Sequence, residues 1–223
     1  MAARATVSFL RANGLSLTLA AIFLACLGGQ WLSGWIVWNE ELVRQGQDPL
    51  TLWVYASSGH FVSATFENWE SEFLQMGMYV LLTVWLRQRG SAESRPLDPA
   101  EEDEKIAPGP KPWPLRAGRF WRALYAHSLS LALFALFAAA FVGHAFGSWQ
   151  HENVQRAMEG RAAVGLQQYL GGARFWFDSL QNWQSEFLAV LALVVLSIFL
   201  REDKSPESKP LEAPHSQTGP CAA

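Results

Sequence analysis

No Asp, Glu, Lys or Arg interrupts the stretches between Arg11 and Glu40, between Glu72 and Arg87, between Arg122 and Glu152, or between Glu186 and Arg201. The first and third exceed the roughly 20 apolar residues that carry a helix across a bilayer. A soluble helix buried over that length would be unusual. Four membrane crossings are therefore expected, and the fold class is all-α and integral to a membrane.

Average composition masks this pattern. Half of the residues are hydrophobic and 17% are charged, but polar stretches at 88–118 and 202–223 dilute the mean hydropathy to +0.07.

The windows belong to a larger regularity. Asn68-Trp69-Glu70-Ser71-Glu72-Phe73-Leu74 recurs 114 residues later as Asn182-Trp183-Gln184-Ser185-Glu186-Phe187-Leu188. Without a gap, the same offset pairs Gly29 with Gly143, Trp35 with Trp149, Asn39 with Asn153, Tyr55 with Tyr169 and Arg87 with Arg201. Solenoid repeats are shorter and need about three copies to bury a core, so two copies of this size indicate duplication of a membrane hairpin. The expected organisation is a first hairpin at 1–87, a flexible linker at 88–118, a second hairpin at 119–201 and a disordered tail at 202–223.

The first span resembles a signal sequence in having Arg4 and Arg11 ahead of an apolar run. Its counterpart lies in mid-chain and has to be a stable span, so the first copy is expected to be retained. Cys26 in a span and Cys221 in the tail make a poor disulfide pair.

Basic residues set the expected orientation. Thirteen of the seventeen Lys and Arg fall in 1–11, 87–122 and 201–223, which places both termini and the linker in the cytoplasm by the positive-inside bias. Eight tryptophans, Trp35, Trp69, Trp149 and Trp183 among them, then fall near the outer boundary. They form an interfacial aromatic belt, since indole favours the headgroup level. Each outer loop also carries an amphipathic piece, after Asp48-Pro49 in the first copy and over Val164 to Leu170 in the second. Phe61 to Leu86 and Phe175 to Leu200 then read as continuous helices.

Counting about 20 residues back from Arg87 or Arg201 brings the repeated motif inside the hydrocarbon slab. Asn68, Ser71, Glu72, Asn182, Ser185 and Glu186 are accordingly a candidate polar intramembrane site, each Glu roughly a quarter of the way in. A carboxylate there costs a few kcal/mol unless it is partnered or protonated. Two readings follow. Glu72 and Glu186 form a shared proton or cation site with Asn68 and Asn182, or each Glu ties down its outer loop through backbone N–H groups.

His144 and His151 share a helical face beside Glu152, but the first copy has Gln30 and Val37 at their positions, so no metal site is expected. His127 has no evident axial partner for haem. No phosphate-binding loop, dinucleotide fingerprint, catalytic triad or zinc-spaced Cys cluster occurs, and neither enzymatic activity nor a cofactor is expected.

The segment Gly59-His60-Phe61-Val62-Ser63-Ala64-Thr65-Phe66-Glu67-Asn68-Trp69-Glu70-Ser71-Glu72-Phe73-Leu74-Gln75-Met76, with Arg89-Gly90-Ser91-Ala92-Glu93-Ser94 beyond it, resembles an uncharacterised family of bacterial integral membrane proteins. The resemblance spans nearly the whole chain and implies the bacterial inner membrane, but no activity. In the second copy Arg174 replaces His60 and Gln181 replaces Glu67, so any role for His60 would be asymmetric.

The expected architecture is four transmembrane helices in two tandem hairpins related by a pseudo-twofold along the membrane normal. Small residues such as Gly28, Gly29, Gly143 and Gly147 permit close helix contact. The leading functional expectation is an outer-leaflet site for a proton, cation or small solute. An accessory subunit binding a partner through its aromatic outer loops, and a haem- or quinone-binding redox protein, are the alternatives. The bilayer is the expected partner, together with another membrane protein or a second copy, and nucleic acid is not.

Overall fold

The computed structural model describes residues 9–98 and 106–219. Among them every regular element is helical: α1 (Phe9–Ala12), α2 (Gly14–Arg44), α3 (Leu52–Tyr55), α4 (Gly59–Trp85), a 3-10 turn at Trp113–Leu115, α5 (Arg119–Ala126), α6 (Ser128–Met158), α7 (Leu166–Leu170) and α8 (Ala173–Phe199).

The uncharged windows fall on the long helices, in which each backbone N–H and C=O group is satisfied within one segment. α2, α6 and α8 are long and apolar enough to cross a bilayer, with mean hydropathies of 1.7, 2.1 and 1.6. α4 matches α8 at 27 residues yet is not among them. It carries His60, Glu67, Glu70 and Glu72, so three crossing helices are recognisable by length and composition where four were expected.

Burial is inverted relative to a soluble bundle. Leu15, Ile22, Leu24 and Val37 on α2 and Leu188, Leu191 and Leu196 on α8 are exposed, whereas Glu70, Ser71, Gln75, His144, Ser148 and Ser179 are buried. Water would favour the opposite arrangement. An apolar exterior around a polar interior suits lipid, in which intramembrane polar groups turn inward.

The chain divides into two compact units, one running to Ala64 and including Phe146–Val164, the other made of Thr65–Ala145 and the chain from Gly165 onward. In the first, Trp38, Leu42 and Tyr55 are buried together, packed by Trp31, Trp35, Leu50, Phe61 and Met158. Trp35 Nε1 and Asn39 Nδ2 of α2 donate to the Leu50 carbonyl at 2.7 and 2.9 Å, and the Leu50 N–H donates to Asn39 Oδ1 at 2.8 Å. Trp149 and Asn153 of α6 hold Val164 by the same three bonds, at 2.7, 3.1 and 2.8 Å. Each of these loops is thus tied to the helix before it. The short helices start slightly later than the sequence suggests, since Thr51 rather than Asp48 accepts from the first turn, at the Val54 N–H.

Glycine permits close approach of α4 and α6 within this unit. A Cβ on Gly147 would lie 2.5 Å from the Ser63 nitrogen, and one on Gly59 would lie 2.5 Å from the His151 nitrogen. Gly28 and Gly29 have open space instead.

In the second unit, Gly143 of α6 faces the Phe66 ring of α4, where an added Cβ would meet Cγ at 2.6 Å. Beyond α4 and α8 the chain folds into matching turns. Gln88 N–H donates to Ser94 Oγ and Glu202 N–H donates to Ser208 Oγ, each at 2.9 Å. Composition alone suggests an unstructured linker and tail here, but Lys209 is 2% exposed and its ammonium donates to the carbonyls of Gly90, Pro214, His215 and Gln217. This buried cation draws carbonyls of both turns around its three N–H donors.

Candidate functional site

α4, α6 and α8 supply the site within the second unit. Glu67 and Glu70 are one helical turn apart on α4, so they share a face. His144 comes from α6, and Phe175, Asn182 and Trp183 come from α8. The polar side chains converge because buried polar groups need hydrogen-bond partners.

His144 stands between the two carboxylates. Its Nδ1 is 2.8 Å from Glu70 Oε2, with both side chains at 1% exposure or less. Its Nε2 is 4.0 Å from Glu67 Oε2, and the Glu67 side chain remains 24% exposed. One ring face of the site is thus closed and the other is reachable.

Each carboxylate is oriented by a donor on α8. Trp183 Nε1 donates to Glu70 Oε1 at 2.8 Å, leaving Oε2 to the imidazole. Asn182 Nδ2 donates to Glu67 Oε1 and to the Asp178 carbonyl at 3.2 Å, leaving the second Glu67 oxygen towards His144. Phe175, fully buried, stacks on the imidazole at 5.0 Å between centroids and 30° between planes. Phe141 and Tyr169 pack around Phe175 in turn. Ring plane, ring position and both carboxyl rotamers are therefore held by packing and hydrogen bonds, as a pre-organised polar site requires.

An imidazole can take a proton at one nitrogen and release one from the other. With Glu70 hydrogen-bonded at Nδ1 and Glu67 4.0 Å from Nε2, the group can hold a proton, and it can hand one across the ring once Glu67 closes to hydrogen-bond distance. It is equally capable of acting as a buried ion pair between helices.

The residues singled out from the sequence distribute around this group. Asn182 and Trp183 belong to it directly. Ser71 is buried and donates back to the Asn68 carbonyl at 2.8 Å, as Ser185 does to the Asn182 carbonyl. Asn68 and Glu72 are exposed, and Glu186 is half-buried with the Glu72 charge acting on it. Trp69 sits edge-on to Phe66 at 5.2 Å, while Trp35 and Trp149 are the loop ties described above.

The histidine pair noted in the sequence separates by environment. His144 is held as above, while His151 in the first unit lies against Trp38 and His60, at 5.0 and 5.2 Å between centroids. Among the described residues no group of three or more His, Cys, Asp or Glu is placed to hold a metal ion.

Glu67, Glu70 and His144 are the residues that attention to the repeated motif passes over. One offset away, their counterparts are Gln181, Gln184 and Gln30. All three ionisable members of the site thus map onto glutamines. That substitution pattern, charge in one copy against a neutral amide in the other, was the available signal.

A family model described as "Domain of unknown function (DUF6766)" matches residues 6–220. No curated protein and no solved structure matches the chain.

Proposed function

The chain belongs to this domain family of unknown function, and from the geometry we propose that it is a multi-pass membrane protein whose Glu67, His144 and Glu70 bind and relay protons. The observation that carries the reading is the fully buried imidazole hydrogen-bonded through Nδ1 to the closed Glu70, with the partly exposed Glu67 4.0 Å from Nε2.

In this reading a protonated Glu67 closes the 4.0 Å to Nε2 of His144 and hands its proton over, while Nδ1 passes its own to Glu70. Rearrangement of the three helices then opens Glu70 and releases that proton. Trp183 and Asn182 fix the acceptor oxygens, and Phe175 fixes the ring. Burial excludes competing water and raises the cost of leaving any member charged alone, so proton occupancy couples directly to the packing of three helices. Such coupling is what proton-driven movement or proton sensing needs.

The proposed setting is the inner membrane of a bacterium. α4 crosses as a fourth helix, its acidic residues turned to the bundle interior, which accounts for an apolarity lower than that of α8. Both termini and the linker are cytoplasmic. The matched bounds of α2 with α6 and α4 with α8 support two tandem hairpins about a pseudo-twofold axis. Asn68, Ser71, Glu72, Ser185 and Glu186 then flank the route from the outer surface to Glu67.

The reading is tested with purified protein in liposomes holding a pH-sensitive dye, under an imposed pH gradient. The wild-type protein should move protons faster than empty vesicles, and His144→Gln and Glu70→Gln should each return the rate to the empty-vesicle level while keeping the helical circular-dichroism signal. Unchanged flux in folded His144→Gln, or wild-type flux no greater than that of empty vesicles, would reject it.

A further inference from the structure

At the end of α4 and α8 from which the linker and tail leave, the folded turns flank an open groove of about 360 Å³. Its wall is apolar, with Leu82 and Leu86 from α4 and Phe187 and Leu191 from α8, and Tyr79 and Glu93 stand at its polar end. Ligand sites commonly have this size and this balance of apolar wall to few polar groups.

Most polar groups lining it are already engaged. Thr83 Oγ1 donates to the Val80 carbonyl at 3.0 Å. Ser91 Oγ bonds Ser197 Oγ at 3.0 Å, and Ser94 Oγ donates to the Arg95 carbonyl, also at 3.0 Å. The Arg87 guanidinium turns to the carbonyls of Thr83, Val84, Leu86 and Pro96. Glu93 differs. It accepts from the Tyr79 hydroxyl at 3.2 Å, and its other partner is a second acid, Glu207, one repeat offset away. Burial, followed by the Glu207 carboxyl, holds Glu93 above the ordinary carboxylate range. From α8 the wall receives only Phe187, Val190, Leu191 and Val194, none of which titrates.

Glu93 is the acid in the lining, Glu207 stands beside it, and the Arg87 guanidinium in the same wall is turned to backbone carbonyls, so the polar end of the groove favours an added positive charge. We propose that this groove binds an amphiphilic organic cation, its apolar body along α4 and α8 and its charge against Glu93. Binding displaces the proton that Glu93 retains below its raised range and releases it to solvent. Apolar contact supplies affinity, and the acid selects a cation over a neutral molecule of the same shape. The site stands independently of the Glu67, His144 and Glu70 group.

The experiment is equilibrium dialysis of the detergent-solubilised full chain against radiolabelled tetraphenylphosphonium, with neutral triphenylphosphine oxide for comparison. One saturable cation site per chain is expected, tightening as pH rises from about 5 to about 8 because the proton competes below the raised carboxyl range. Glu93→Gln should weaken cation binding at least about tenfold, as loss of a charge-assisted contact predicts, and should flatten the pH dependence. Leu191→Trp, which fills the groove from α8 without touching the acids, should abolish binding. His144→Gln should leave it unchanged. Binding that is independent of pH, equal for the neutral compound, retained in Leu191→Trp or not saturable would overturn the proposal.

Discussion

Glu70 and His144 lie 2.8 Å apart with side-chain exposures of 0% and 1%, whereas the residues one repeat offset from them are Gln184 and Gln30. A buried acid–imidazole hydrogen bond and a pair of amides respond differently to single substitutions. Removing one partner of the buried hydrogen bond leaves the other unsatisfied, at a cost of about 1–3 kcal/mol, whereas replacing both can be nearly neutral. Glu70→Gln and His144→Gln should therefore each lower thermal stability in detergent, and the double substitution should recover most of the loss. The coupling in this cycle is the measurement, and additive single effects would mean that the two side chains act independently.

Close approach of α4 and α6 gives a second expectation. A Cβ on Gly147 would lie 2.5 Å from the Ser63 backbone nitrogen, so the helices have to shift for Gly147→Ala to fit. Overpacking of this kind costs about 1–3 kcal/mol. Gly28 has open space around it, and Gly28→Ala should be neutral or stabilise by up to about 1 kcal/mol, because alanine loses less chain entropy in a helix. Thermal unfolding of both variants in the same detergent tests the contrast.

Much of the helical framework is legible in the sequence because charge spacing and the 114-residue offset act locally. α2 ends at Arg44 and α6 at Met158, and α4 and α8 both begin two residues before the sequence-based start. The site is less legible, since it depends on which face of α4 meets α6. Glu67 and Glu70 look like boundary residues beside the repeated Glu72, and His144 looks like an isolated polar residue in an apolar run. Only tertiary packing places the imidazole between the two acids. The position of Lys209 is unreadable for a similar reason, since its four carbonyl partners lie as far away as Gly90. A Lys in a polar tail otherwise signals solvent.

The loop ties make a prediction about protection of individual amides. Asn39 Oδ1 accepts from the Leu50 N–H and Asn153 Oδ1 accepts from the Val164 N–H, both at 2.8 Å. Asn39→Ala should speed hydrogen exchange at Leu50 while leaving Val164 protected, and Asn153→Ala should do the converse. Each loss should cost about 1–2 kcal/mol locally. Unaltered exchange at Leu50 in folded Asn39→Ala would show that the loop is held by the Trp35 contact and apolar packing instead.

Tyr55 supplies a pH-dependent test outside the long helices. It is 1% exposed, its hydroxyl lies 2.9 Å from His60 Nδ1, and burial pushes its phenol up to about 12. The folded state therefore holds this proton more tightly than an unfolded chain does, whose tyrosines release theirs near pH 10. The stability it contributes is fully present below about pH 10 and is lost progressively as pH rises towards 12, by linkage. Two pH units correspond to at most about 3 kcal/mol over that window. Absorbance titration should show one phenolate appearing only near pH 12, and Tyr55→Phe should remove both that transition and the accompanying fall in unfolding temperature. A phenolate that forms near pH 10 in the folded protein, with no shift in the Tyr55→Phe profile, would place Tyr55 in contact with solvent rather than in the core beside Trp38 and Leu42.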